Sequence, residues 1–491
     1  MRGHPMKTLR TVGMAISMLL ASASVAPAQT WTMLKNQPTV PTDTALLLTD
    51  GTVMMHEYNS PNWWRLTPDN TGSYVNGTWS QLASMQSSYA PLYFASAVFA
   101  DGNVIVEGGE YNNLLQVETN MGAYYNASTN TWTAVNPPSG WPEIGDSPGI
   151  VLPNGIFMIG RNESSTQAAL FNEKTMTWTS TGKDKADPYS EEGWVLLPDE
   201  GVLTTDGLNA PHAEKYDYLD GTWISAGSTI VRLEDPGSEE IGPMVLRPDG
   251  TVFATGANAN GAGHTSIYTS PANPMMPGTW TPGPDMPGLN DMADAPASIL
   301  PDGNVLCDMS PGIFNSPVNF YEFDGTQFNE VPNPPNSLAQ LTSYLGRMLV
   351  LPTGQVMFIS ADGSSGDVAL YNAAGTYNSA WAPTITQVPS AVTPGMTYSV
   401  EGTQFNGVSN GASYGDDAQM NTNYPLVRIT NNATGHVFYA KTHNHSTMGV
   451  STGKKLVNTE FDVPASIETG ASTLEVVANG IPSAPADITV Q

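Results

Sequence analysis

The chain has 491 residues, and its 45 acidic side chains outnumber 17 basic ones, which gives a formal net charge of −28. Bulk charge of this sign excludes binding to nucleic acid or an anionic membrane, whereas a cation or a neutral polymer is an electrostatically easier partner. Only 13% of the residues are charged, while Gly and Pro number 47 and 39. This composition is typical of a turn-rich all-β protein and not of a disordered one.

Residues 1–28 have the features of a secretory signal peptide. Basic residues precede the short apolar run 12–25, and Ala26–Ala28 forms an A-x-A cleavage site. We therefore expect a mature chain from Gln29 and a secreted or periplasmic bacterial protein. No later run reaches the apolar length of a membrane span, and the single cysteine, Cys307, leaves no disulfide.

A Pro-Asp-Gly-like turn recurs along residues 29–381 at intervals of 45 to 53 residues. The turns begin at Leu48, Phe99, Leu152, Leu197, Arg247, Leu300 and Leu351. Asp-Gly between short apolar runs indicates a β-hairpin, and a period of this length predicts a β-propeller with four-stranded blades. We predict seven blades, closed by residues 31–34 pairing beside the strand around residues 369–371, which removes the free sheet edges.

Residues 382–491 follow a different pattern. Short apolar strands recur there, for example at 426–429, 436–439, 460–463 and 473–478. Strands of this length and spacing predict an Ig-like β-sandwich. The predicted fold class is therefore all-β, with a seven-bladed kelch-like β-propeller over 29–381 followed by a C-terminal Ig-like sandwich over 382–491.

The second repeat carries the motif that points to a family. Its double glycine Gly108-Gly109, followed by Tyr125 and Trp132, resembles a kelch repeat. Together with the signal peptide and the C-terminal sandwich, the chain resembles the galactose oxidase and glyoxal oxidase family. The resemblance implies a copper-radical site made of a cysteine crosslinked to a tyrosine, an axial tyrosine and two histidines.

Most of those copper-site residues are replaced in this chain. Tyr93 occupies the position of the crosslinking cysteine, Gly145 lies near that of its tyrosine partner, and Leu345 replaces one histidine. Tyr344 keeps the remaining tyrosine, and His443 matches the C-terminal histidine. Because the thioether and one imidazole are missing, we do not expect copper-radical oxidation.

A column of acids takes the place of the copper ligands. Seven residues before each turn's second position lies the start of an innermost strand, and three of the seven residues found there are Asp146, Glu191 and Asp294. Glu240 lies one residue before this position in the fifth repeat. Innermost strands pack around the propeller axis, so these four catalytic candidates should converge at one mouth of the channel and face His443. They either bind a hard cation such as Ca²⁺ or another divalent metal, or raise one another's pKa for acid–base chemistry. The alternative is that each acid accepts backbone hydrogen bonds at a turn.

Further side chains are predicted to reach the same mouth. The substrate-binding candidates are Tyr93, Trp63, Trp64, Arg161, His212, His264 and Tyr344. His443 and His445 lie two apart, which on a strand places both on one side, so they are predicted metal ligands beside Asp146, Glu191 and Asp294. Packing between blades is the alternative for the tryptophans, and a polar loop for the histidines. Gly415–Asp417 forms either a Ca²⁺ site at the sandwich edge or, more simply, an Asx turn.

Three functional hypotheses stay open. The first is a secreted galactose-oxidase-like propeller that binds or acts on a carbohydrate or related extracellular polymer at an acidic channel mouth, with or without a divalent metal. In that case it is a hydrolase, lyase or isomerase. The second is a non-catalytic binding or adhesion protein of the envelope, and the third is a metal-dependent oxidase with altered ligands. We expect a monomer that has no nucleic-acid partner and no membrane span.

Overall fold

The computed structural model describes residues 1, 3, 29–162, 165–364 and 367–491. The predicted signal peptide, residues 1–28, thus lies outside the described residues apart from positions 1 and 3. Within the described ranges, no helix has the length and apolar character needed to cross a membrane.

Seven four-stranded antiparallel sheets, numbered here in chain order, make up residues 30–372 of the described chain. Sheet 1 has Thr42–Leu47, Val53–Glu57, Trp63–Thr67 and Thr78–Gln81, and sheet 2 has Ala95–Val98, Val104–Glu107, Gly122–Asn126 and Thr131–Val135. Sheet 3 has Gly149–Val151, Phe157–Gly160, Ala168–Asn172 and Thr177–Ser180, and sheet 4 has Val195–Leu196, Val202–Thr205, His212–Asp217 and Thr222–Ser228. Sheet 5 has Ile241–Leu246, Thr251–Gly256, Thr265–Thr269 and Thr279–Pro282, and sheet 6 has Ala297–Ile299, Val305–Met309, Asn319–Phe323 and Phe328–Glu330. Sheet 7 has Gly346–Val350, Val356–Ser360, Val368–Asn372 and the N-terminal Thr30–Met33.

Small elements connect these sheets. They are the paired strands Pro91–Leu92, Tyr111–Asn112 and Leu115–Gln116, and the 3₁₀ turns Asn336–Gln340, Ser343–Leu345 and Ser379–Trp381. The remaining strands form a C-terminal sheet: Thr384–Gln387, Ala391–Val392, Thr397–Thr403, Leu426–Asn431, Val437–His443, Leu456–Asp462, Gly470–Ala478, Ile481–Pro482 and Ala486–Val490.

The recurring turns form the hairpins between the first and second strands. In sheet 1, Asp50 Oδ1 accepts a hydrogen bond from the backbone N–H of Thr52 at 3.0 Å, and Gly51 has φ +74°, a conformation that favours glycine. The first strand of every sheet is entirely buried. Aromatic pairs such as Tyr125–Trp132, with ring centroids 5.0 Å apart, pack the third strand on the fourth. The repeated sequence thus sets both the hairpins and the packing of each sheet.

The N-terminal strand is fastened to sheet 7, as the sequence predicts. Thr30–Met33 pairs antiparallel with Val368–Asn372, and Trp31 lies opposite Tyr371. The first strand of sheet 1 contacts the first strands of both sheet 2 and sheet 7. The beginning and the end of the repeat region are therefore neighbours in space.

Residues 404–425, the inserted segment, leave the C-terminal sheet and run among the first strands of the other sheets. Residues 405–420 are all buried, and Ala412–Ser413 adds a fifth strand to sheet 6 by pairing with Ala297 and Ser298. Ser413 Oγ donates to the carbonyl oxygen of Met244 in sheet 5 at 2.8 Å. The Tyr414 hydroxyl donates to the carbonyl oxygen of Tyr344, beside sheet 7, at 3.0 Å. The inserted segment therefore contributes side chains to the region where the first strands meet.

Candidate functional site

A cavity of about 430 Å³ opens where the first strands begin, and we call it the acidic cavity. Its acidic lining residues are Glu110, Asp146, Glu240, Asp294 and Asp416. Its aromatic lining residues are Tyr58, Tyr93, Tyr111, Phe314 and Tyr344. The cavity therefore combines a carboxylate-rich surface with flat apolar rings, and of the predicted substrate-binding side chains it contains Tyr93 and Tyr344.

The structure brings the four predicted carboxylates together. One ligand atom each from Glu191, Glu240 and Asp294 lie within 4.8 Å of one another. The same holds for Asp146, Glu191 and Asp416. Each residue of the predicted column directly precedes, or lies within a few residues of, the first strand of its sheet, so the common register of the repeats places the acids at one end of those strands. Glu191 belongs to both groups and stands at their centre.

Asp416 completes one triad, with Asp417 next to it in the chain; the sequence pattern singled out Gly415–Asp417 but did not place these acids with the predicted column. Their predicted location at a sandwich edge, as a Ca²⁺ site or an Asx turn, was wrong, because the inserted segment is buried and pairs with the first strand of sheet 6. Gly415 packs directly against Asp294, where an added Cβ would meet the Asp294 carboxylate. One signal was available: these two acids are the only charged residues between Glu401 and Arg428.

Burial perturbs the titration of these acids. Desolvation, together with the charge of neighbouring carboxylates, raises the pKa of Glu191, Asp294 and Asp416 well above the ordinary range. Desolvation also raises the pKa of Glu110, at the edge of the cavity, to about 7. A group of this density cannot carry its full negative charge at neutral pH unless protons or a cation neutralise part of it.

Arg347 is a buried cation whose charge acts on Asp417. Its side chain is 1% exposed, and its guanidinium carbon lies 3.9 Å from the ring centroid of Tyr414 and 5.6 Å from that of Tyr93. Nη1 donates to the carbonyl oxygens of Tyr344 and Gly346, both at 2.9 Å. Arg347 therefore holds the inserted segment and the cavity wall together while offsetting one negative charge.

Several carboxylate oxygens in the group have no N–H or hydroxyl donor. Among the described residues, no amide, amine, guanidinium or hydroxyl group donates to Glu240 Oε2, Asp294 Oδ1 or Asp416 Oδ2. Asp146, by contrast, accepts a hydrogen bond from Asn162 Nδ2. Backbone amides at a turn therefore do not account for these three oxygens. An all-carboxylate donor set without imidazole or thiolate suits hard cations such as Ca²⁺, Mg²⁺ or Mn²⁺.

Both tryptophans lie outside the acidic cavity. Trp63 is fully buried, with its ring 5.5 Å from Trp132 and 6.3 Å from Phe94. It lies on the third strand of sheet 1 and points into the packing between sheets. The indole N–H of Trp64 donates to Glu57 Oε2 at 2.8 Å. Their prediction as a sugar platform is corrected accordingly, because strand alternation turns Trp63 into the core.

Arg161 lies beside the cavity without lining it. Its Nη2 is 2.5 Å from Glu143 Oε1, and its Nη1 donates to Gln167 Oε1 at 3.2 Å. The next residue, Asn162, donates to Asp146. Arg161 therefore belongs to the surroundings of the site, and its predicted contact with a substrate is not visible in the lining of the cavity.

The predicted substrate-binding residues His212 and His264 lie away from the acidic cavity. His212 Nδ1 is 2.5 Å from Asp187 and 2.9 Å from Asp206. Beside them the Lys185 ammonium lies 2.9 Å from Glu192 Oε1 and also contacts Asp206. We call this group the lysine cluster; its members are Lys185, Asp187, Glu192, Asp206, His212 and Glu214. The Lys185 ammonium is the cation that balances its acids. His264 Nδ1 pairs with Asp285 at 2.7 Å near the surface.

His443 does not face the carboxylates, which corrects a central prediction. Its Nε2 lies 3.1 Å from Asp462 Oδ1, within the C-terminal sheet. The N–H of the preceding residue, Thr442, donates to the carbonyl oxygen of Thr49 at 3.1 Å. Thr49 lies at the turn end of its strand, whereas the acids lie at the opposite end. The inserted segment, not the strand that carries His443, approaches the carboxylates.

His445 is not a partner of His443 in metal binding. The strand ends at His443, and Asn444 has φ +52°, so the chain turns and the two imidazoles do not share a strand face. His445 stacks on Tyr424 with ring centroids 6.4 Å apart and pairs through Nδ1 with Thr459 Oγ1 at 2.8 Å. Burial lowers the pKa of His445 to about 3, so it is neutral.

Comparison with known proteins gives likeness of fold. No family model matches the sequence, and no curated protein matches it. The chain is similar to a fungal alcohol oxidase of the AA5 family solved in complex with copper. The TM-score is 0.52 at 13% identity, over 95% of this chain and 100% of that one. Because the identity is so low, this similarity shows the fold alone.

Two further solved structures match with lower scores. The extracellular domain of a one-component system from B. thetaiotaomicron gives a TM-score of 0.43 at 9% identity, over 94% of this chain and 58% of that one. YCF48 from Cyanidioschyzon merolae gives a TM-score of 0.44 at 10% identity, over 70% of this chain and 98% of that one.

Proposed function

We propose that this chain is a secreted, galactose-oxidase-like, seven-bladed propeller with an Ig-like C-terminal domain, and that its acidic cavity binds a carbohydrate or related extracellular polymer and acts on it. The seven sheets are the blades, over residues 29–381, and residues 382–491 are the second domain. The pairing of Trp31 with Tyr371 supports a closed ring. The observation that carries the function is one cavity in which perturbed carboxylates lie among aromatic rings.

The aromatic residues supply the binding surface. The rings of Tyr93 and Tyr111 lie 6.1 Å apart, and Phe314 meets Tyr344 edge-on at 4.9 Å. Flat apolar rings suit the apolar face of a pyranose, while their hydroxyl groups bond its polar rim. The volume of about 430 Å³ falls within the usual ~300–1,000 Å³ of small-ligand sites.

The carboxyl groups supply the chemistry. Acid–base catalysis on a glycosidic bond or a sugar ring needs one carboxyl that stays protonated near neutral pH and another that is ionised. Burial raises the pKa of Glu110, which lines the cavity, to about 7, which suits the protonated role. Asp146, which lines the cavity and accepts a hydrogen bond from Asn162 Nδ2, is placed to serve as the ionised partner.

Copper-radical oxidation is not part of this proposal. Neither carboxylate group contains a histidine or cysteine. Cys307 is buried in the second strand of sheet 6, and burial raises the pKa of its thiol well above the ordinary value. Tyr93 therefore has no thiolate partner for a thioether.

A turnover and binding screen tests the proposal. The purified mature chain is incubated with neutral and acidic polysaccharides, with product release followed by reducing ends and by absorbance of unsaturated products. Tyr344→Ala removes one cavity ring and should abolish binding, whereas Tyr377→Ala, an exposed tyrosine outside the cavity, should leave it intact. Binding without turnover would make the protein a binding module, and equal loss in both variants would end the proposal.

A further inference from the structure

We propose that the carboxylates of the acidic cavity hold two divalent cations of the Ca²⁺ class, bridged by Glu191. Asp146 and Asp416 complete the first site, and Glu240 and Asp294 complete the second. The inference rests on the site of the proposed function and adds a cofactor and its stoichiometry to it.

The spacing of the oxygens fits two ions that share a ligand. In each triad the three ligand atoms lie within 4.8 Å of one another. Oxygens that bind one Ca²⁺ at ~2.3–2.6 Å lie at most about 5 Å apart. Glu191 is the member common to both triads, and a carboxylate bridges paired cations readily because it has two oxygens. Paired metal sites of this kind have ions about 3.5–4 Å apart.

A separate observation points to a ligand at this place. Asp416 is 3% exposed, yet no N–H or hydroxyl group of the described residues donates to its Oδ2; the side chain bonds the neighbouring carboxyls of Glu191 and Asp417 instead. Asp294 Oδ1 and Glu240 Oε2 likewise have no N–H or hydroxyl donor among the described residues, and these two side chains bond each other. Buried carboxyls that bond chiefly one another must share protons or bind cations, and one cation in each triad would satisfy these oxygens.

Charge balance favours cations over the protein's own groups. The five proposed ligands carry up to five negative charges, and the buried cation Arg347 directs Nη1 to two backbone carbonyl oxygens. Two divalent cations would bring the ligand set close to neutrality. In the lysine cluster the buried carboxylates are neutralised by a protein group instead, because the Lys185 ammonium lies against Glu192 and Asp206. The acidic cavity has no such lysine within the described residues.

Calcium titration of the chelator-treated mature chain tests the inference. Isothermal calorimetry with CaCl₂, together with Tb³⁺ luminescence, should give two ions per chain, and EDTA should lower the melting temperature. Glu240→Gln and Asp416→Asn should each reduce the stoichiometry to one, and Glu191→Gln should weaken both sites at least tenfold. Asp187→Asn, in the lysine cluster, is the matched control and should leave two ions bound.

Several outcomes would overturn the inference. No binding of Ca²⁺, Mg²⁺ or Mn²⁺ and no effect of EDTA on melting would show that protons neutralise the group instead. A wild-type stoichiometry of one would refute the bridge. If Glu191→Gln does not fold, the number of ions bound by the wild type and by Asp416→Asn still tests the two-cation site. Cation binding without any glycan partner would refute the proposed function alone, whereas glycan binding that ignores chelator would refute the cation site alone.

Discussion

Truncation of Trp31 to alanine should destabilise the fold through the one strand that joins the two ends of the repeat region. The Trp31 ring lies 5.1 Å from Phe320, 5.8 Å from Phe358 and 4.9 Å from Tyr371, measured between centroids. Its indole N–H also donates to the carbonyl oxygen of Pro332 at 2.6 Å. The replacement removes all of these contacts from a strand whose backbone pairs with residues 369–372.

The expected loss in the free energy of unfolding follows from the burial of Trp31 and from its lost hydrogen bond. A fully buried Trp or Phe costs about 3–5 kcal/mol when cut to alanine, and Trp31 is partly buried, so about half of that applies. The lost hydrogen bond adds about 1 kcal/mol. We expect Trp31→Ala to lower the free energy of unfolding by about 3 kcal/mol, and Trp31→Phe, which keeps a ring, by about 1 kcal/mol.

Urea unfolding and hydrogen exchange measure the effect. Trp178→Ala is the matched control, since its ring packs 5.0 Å from Phe171 and its N–H donates to Asn136 at 2.7 Å, but its strand is not the joining one. Trp31→Ala should speed amide exchange in residues 30–33 and 368–372, and Trp178→Ala should not. A loss below about 1 kcal/mol, the value of a single hydrogen bond, without faster exchange would refute the reasoning.

Three other predictions concern buried charge, the inserted segment and pH. Lys185→Met should lower the free energy of unfolding in urea by about 3–5 kcal/mol, because it leaves buried carboxylates without a counter-charge. An unchanged free energy of unfolding would mean that those acids are protonated. Gly193→Ala puts a Cβ against the backbone carbonyl of Gly415 and should speed proteolysis within residues 404–425; Gly261→Ala, which meets only an asparagine side chain, is the control. Burial raises the pKa of Glu173 from 4.5 to about 8, so the folded state holds a proton that the unfolded state releases, and stability falls as pH rises from 4.5 to 8. Glu173→Gln should therefore melt higher than wild type at pH 9 and equally at pH 4, and a gain at pH 4 as well would contradict this.

The repeated sheets were predictable because their signals are local. Each hairpin carries its own Asp-Gly turn, and each fourth strand carries an aromatic at a fixed distance from it. The same register placed Asp146, Glu191 and Asp294 at equivalent positions, so their convergence follows from the repeat. The pairing of Trp31 could be predicted because the last repeat lacked an outer strand.

The inserted segment was not predictable in the same way. Asp416 reaches the cavity through packing of residues 404–425, which have no period and no strand alternation, so nothing local marks their destination. His443 was placed by resemblance to a family in which a C-terminal histidine reaches the channel, and packing here sends a different loop there. The prediction for Trp63 was wrong for a simpler reason: this residue lies in a strand, not in a loop, and its side chain faces the core.

The inserted segment makes the acidic cavity a product of distant parts of the gene. Asp146 and Asp416 meet in one triad, although the ribosome joins them only after more than half of the chain has been made between them. A polypeptide released before position 404, or clipped by a protease there, would keep its repeated sheets but lack Tyr414 and two of the acids. Assembly of this cavity therefore requires that synthesis has passed the inserted segment.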